Sequence, residues 1–113
     1  MAAPAKVSLT WVVGDDETVL VYIYSDATGT TPVDISGRTY TLSVATAAGA
    51  TPTLALTGTV TGASGLVTFA ATDTQTATLT AGTGYTFDVN EVSGTNESTL
   101  ILGTLQAVAR VTA

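Results

Sequence analysis

Residues 32–44 read PVDISGRTYTLSV. The second half alternates. Tyr40, Leu42 and Val44 fall on one side, Thr39, Thr41 and Ser43 on the other. Side chains of a β-strand point to opposite faces with a period of two, so this is a strand with one apolar and one polar face. The first half is a turn. Pro32 fixes the loop backbone, Asp34 offers a carboxylate to backbone N–H groups of the DISG segment as an Asx-turn, and Gly37 permits the turn. Arg38 stands where the turn meets the strand. Four residues from Asp34, it is placed for a local ion pair with that carboxylate, and the other reading is a salt link to a neighbouring subunit. Pro32, Asp34, Gly37 and Arg38 therefore read mainly as structural turn residues.

The same alternation recurs on both sides of this stretch. KVSLTWV (6–12) sets Val7, Leu9 and Trp11 on one face, and TVLVYIY (18–24) is apolar on both faces. TLALTGTV (53–60) alternates Leu54 and Leu56, with Gly58 marking a bulge or a weakening end. LVTFAA (66–71) turns Val67 and Phe69 inward, and YTFDVNEV (85–92) does the same with Tyr85, Phe87 and Val89. TLILGTLQAVARV (99–111) is a long last strand whose Gly103 marks a bulge or a close backbone approach. Thr72 followed by Gln75 matches a capping box and predicts one short helical turn at 73–79. About seven strands separated by Gly, Asp, Asn and Ser-rich turns predict an all-β, immunoglobulin-like sandwich of antiparallel strands. The Cys…Trp…Cys mark of antibody domains is missing.

The chain has 113 residues, the size of one domain. MAAPAK (1–6) has small residues, a proline and no alternation, so it reads as an N-terminal arm on a single sandwich domain spanning 7–113. The opening residues lack the charged head and apolar run of a signal peptide. No apolar run is long enough to span a bilayer as a helix. Net charge is −6, and Lys6, Arg38 and Arg110 are the three basic residues. Nucleic-acid binding rests on neutralising phosphates with Lys and Arg, so three scattered cations exclude DNA or RNA as a main partner. The same scarcity disfavours anionic membranes. Charged residues make up 11% of the chain, against about 25% in typical soluble domains. Threonine, at 25 residues, fills the gap. It suits the solvent side of a strand and is a poor helix former. Such surfaces read as made to mate with other protein.

The ordered set PVDISGRTY, then a hairpin around TGASGLVTF, then LTAGTGYTFDV, then STLILGTLQAVARVT resembles small β-sandwich proteins of tailed-bacteriophage virions. The N-terminal domain of siphophage upper baseplate proteins is similar. The resemblance covers roughly residues 15–112. It implies a non-enzymatic virion structural protein that binds itself or other virion proteins, as capsid decoration or in the tail or baseplate. It also implies a homo-oligomer or a mixed assembly.

Candidate interaction residues follow from the strand pattern. If Val19, Val21 and Ile23 face the core, then Leu20, Tyr22 and Tyr24 form an apolar outer patch of the kind that marks a contact surface. Trp11 reads either as a core residue or as an exposed anchor. Asp15, Asp16 and Glu17 supply only part of a calcium shell and read as an acidic turn, so no metal site is expected. With no His or Cys in the chain, no catalytic group and no cofactor is expected. The alternative to a virion role is a carbohydrate- or cell-surface-binding sandwich module, which would need exposed aromatic rings.

Overall fold

The computed structural model describes residues 5–23, 33–47 and 49–109. Among them, eight strands form two sheets: β1 (Ala5–Val12), β2 (Glu17–Tyr22), β3 (Thr39–Ala45), β4 (Leu54–Thr57), β5 (Thr59–Thr61), β6 (Leu66–Ala71), β7 (Gly84–Ser93) and β8 (Asn96–Val108). The larger sheet runs β1-β8-β7-β3-β4 and the smaller runs β2-β6-β5. Hairpins join β3 to β4, β5 to β6 and β7 to β8, all antiparallel. The β2–β3 and β6–β7 connections cross between sheets. This is an all-β, immunoglobulin-like sandwich.

The period-two pattern fills the space between the sheets. Tyr40, Leu42 and Val44 of β3 are fully buried, as are Val89 of β7, Leu105 of β8, and Val67 and Phe69 of β6. Trp11 belongs to this core at 3% exposure, so the exposed-anchor reading of Trp11 is corrected. The reason is its place near the end of β1, opposite the buried Ala107.

Three expectations change in detail. The segment 53–60 is two strands, not one. β4 pairs with β3 in the large sheet, and after Gly58 the chain pairs with β6 in the small sheet as β5. The first strand pairs in parallel with β8, so the sandwich is not wholly antiparallel. β1 also begins at Ala5, paired with Ile101, so Ala5 and Lys6 belong to the sheet and not to an arm. Residues 1–4, Tyr24 and Pro32 lie outside the described residues.

The turn around Asp34–Gly37 closes one end of the sandwich. Val33 N–H donates to Ile23 O and Ile35 N–H to Gly62 O, which lays the segment across the small sheet's end. Ile35 is fully buried there. Burying a side chain of that size stabilises by roughly 1.5–3 kcal/mol. Arg38 N–H closes the β-turn on Ile35 O, with Gly37 at φ +80°, the left-handed region that glycine occupies without strain.

The helical turn is shorter than the sequence suggests: α1 spans Asp73–Thr76. Its capping box is complete, with Thr72 Oγ accepting from Gln75 N–H and Gln75 Oε1 accepting from Thr72 N–H. Leu79, just beyond it, is buried as expected. In β8, Ile101 pairs with Val89 and Thr99 with Asn90, leaving Leu100 as the extra residue of a bulge. The bulge lets the adjacent Leu100 and Ile101 both pack against the core.

Candidate functional site

The outer face of the small sheet is the first candidate. Val19, Val21 and Ile23 turn toward the core, while Leu20 and Tyr22 are 52% and 51% exposed. Leu66 of β6 stands opposite Tyr22, and Thr68 stands opposite Leu20. On β5, Thr61 and Thr59 extend the same rows. No charged residue stands on this face of β2, β6 or β5. The physical cause is parity: Glu17, the charged residue of β2, has odd spacing from Leu20 and points the other way. Its carboxylate accepts Val12 N–H at 2.9 Å.

The acidic cluster 15–17 acts as structure. Asp16 Oδ1 accepts Asp73 N–H at 2.7 Å and so holds the start of α1. Thr76, fully buried, donates its hydroxyl to Asp15 O at 2.7 Å and accepts Gly14 N–H at 3.0 Å. One carboxylate, that of Asp16, and one threonine thus pin the β1–β2 turn to α1. Among the described residues, no group of three acidic or other metal-ligating side chains comes together.

Arg38 does not pair with Asp34. Its guanidinium lies 3.3 Å from the Glu91 carboxylate, which also accepts the Tyr40 hydroxyl. Asp34 is taken instead by Ser36, whose N–H and hydroxyl both donate to Asp34 Oδ1, at 3.0 and 2.7 Å. These bonds hold the Asp34 carboxyl below its ordinary range. The expected local ion pair fails because the Asx-turn points the carboxylate back into its own loop. Arg38, one residue before β3, lies beside β7, where Glu91 is the cross-strand partner of Tyr40. Burial and the Glu91 carboxylate push the Tyr40 phenol well above its ordinary value.

The outer face of the large sheet forms a groove of about 740 Å³. Its floor includes Ser43 and Asp88, one wall is the β3–β4 loop around Ala47 and Pro52, and the other is β8 at Leu102. Asp88 is half-buried, and that burial raises its carboxyl pKa. Nearby, Asn90 donates to Glu97 at 2.6 Å. No local pattern in the sequence marks this groove, because its parts come from three separate strands and a loop.

The chain matches no known protein-family model and no curated protein.

Proposed function

We propose that the chain is a non-enzymatic structural protein of bacteriophage virions, which docks through its sheet faces onto copies of itself or other virion proteins on the capsid, tail or baseplate. The observation that carries this reading is the charge-free outer face of the small sheet, where Leu20 and Tyr22 are half exposed beside Leu66. Contact surfaces are depleted of charge at their centres, and clustered exposed apolar side chains mark them. The ordered sequence resemblance supplies the virion context. The carbohydrate-binding alternative is the weaker reading: of the described aromatic rings only Tyr22 is exposed, and the other five lie in the core.

The test is a chain carrying Leu20→Ser and Tyr22→Ser together. It should keep the wild-type thermal melt, because neither side chain fills the core, yet fail to co-sediment with assembled particles. Incorporation at the wild-type level would remove this face from the assembly. Absence of the wild-type chain from purified particles would overturn the virion role itself.

A further inference from the structure

The groove on the large sheet faces away from the surface just described and has its own chemistry. Lys6 pairs in register with Leu102, and Asp88 pairs with the same Leu102 from the other side. The three side chains form one row across β1, β8 and β7, all on the outward face, with Leu102 in the middle and 44% exposed. Lys6 is exposed, Asp88 is half-buried on the groove floor, and neither side chain has a hydrogen bond or ion pair among the described residues. Strands in a sheet lie about 4.8 Å apart, so the two charges are set roughly 10 Å apart, with a leucine between them.

We propose that this face binds a second copy of the chain about a two-fold axis running along β8, in the plane between the two facing sheets. Such an axis exchanges β1 and β7. It sets Lys6 of each copy over Asp88 of the other, and Leu102 over Leu102 at the axis. The row is therefore self-complementary, the condition for an isologous two-fold contact. Sheets stacked face to face lie about 10 Å apart. A long lysine and a short carboxylate fill that gap together, and so do two leucines. The groove accounts for the remaining shape. β1 is the edge strand of the large sheet, so the second copy's β1 settles between β8 and the β3–β4 loop with no further strand behind it to strike that wall.

The overlap is small. Three strands about 4.8 Å apart, with β1 eight residues long, cover roughly 400 Å² of flat sheet, below the ~800 Å² per partner of a standard interface. The dimer is therefore weak, and it is populated at high chain concentration or within an array. The inference shares with the virion reading only the premise of assembly. It uses a different face and is tested on the isolated chain, so either can fail without the other.

The experiment is sedimentation equilibrium of the isolated chain from micromolar to millimolar concentration. Wild type should show a monomer–dimer equilibrium that added salt weakens. Lys6→Asp makes the row doubly acidic, and Asp88→Lys makes it doubly basic. Each variant alone should weaken dimerisation by at least about tenfold, since both contacts become like-charge. An equimolar mixture of the two variants should dimerise again, because every acidic side chain then faces a basic one. Matching thermal melts would exclude misfolding as the cause. A wild-type chain that stays monomeric at millimolar concentration overturns the proposal. So does a mixture that behaves like its two components alone, the outcome expected if Lys6 and Asp88 act only within one chain.

Discussion

The Arg38 guanidinium lies 3.3 Å from the carboxylate of Glu91, 53 residues along the chain. Glu91 also accepts the hydroxyl of the fully buried Tyr40, so one carboxylate serves a surface cation and a core phenol. The two sides of this contact should differ in worth. Arg38 is 32% exposed and Glu91 14%. Arg38→Ala should cost only about 0.2–1 kcal/mol, the range of a solvent-screened ion pair. Glu91→Ala strands a buried hydroxyl and should cost about 1–3 kcal/mol. Urea unfolding of both variants decides the matter, and a larger loss for Arg38→Ala would contradict the assignment.

Tyr40 makes the fold sensitive to alkali. Its folded pKa is raised above the ordinary 10.0. Above that ordinary value the unfolded chain has lost the phenolic proton while the folded chain retains it. Stability is thus fully present below pH 10 and falls as pH rises beyond it, by up to about 1.4 kcal/mol per pH unit. Tyr40→Phe should be less stable at neutral pH yet lose less between neutral pH and pH 11. Equal alkaline slopes for the two chains, read by denaturant melts, would remove Tyr40 as the cause.

Asp34 has the opposite sign. Its carboxyl is held below the ordinary value of 3.8 by Ser36. The stabilisation is present above that value and lost as pH falls through the lower folded pKa. Asp34→Ala should melt earlier than wild type at pH 7, and the gap should close in strong acid. Sedimentation of the variant should be unchanged, because the Asx-turn lies away from the Lys6–Leu102–Asp88 row. A variant with an unaltered melt but altered association would assign Asp34 to a contact.

Gly103 of β8 is the in-register partner of Val7 on β1. A Cβ there would collide with the Val7 carbonyl oxygen and press on the Phe87 ring. The Val7 atom is backbone and cannot swing aside, so Gly103→Ala must displace β1 from β8. A cost of about 1–3 kcal/mol is expected, in the range of overpacked cores. Hydrogen exchange should quicken first in the amides of β1. Exchange that quickens evenly across both sheets would mean that β1 is not the element displaced.

Which side chains lie inside is set by the local alternation of the chain. Tyr40, Leu42, Val44, Val67, Phe69, Tyr85, Phe87 and Val89 were all assignable to the core from alternation, and all are buried. The Thr72–Gln75 capping box was legible too, whereas β2 is apolar on both faces and the outward direction of Leu20 and Tyr22 came from the structure. The legible features depend on a period of two, or on four consecutive residues, and the local chain fixes both. Which strands are neighbours follows instead from the assembled sandwich. Glu91 became the partner of Arg38 because β7 pairs with β3, a fact that no spacing near residue 38 carries. The segment 53–60 read as one strand because alternation continues through Gly58, whereas the change of sheet there depends on β6 offering a second partner. The row Lys6–Leu102–Asp88 exists only because β1 pairs in parallel with β8 and β8 in antiparallel with β7. Facing is a property of one strand, but register and lateral order belong to pairs of strands far apart in the chain, and they are set by how both sheets close on a common core.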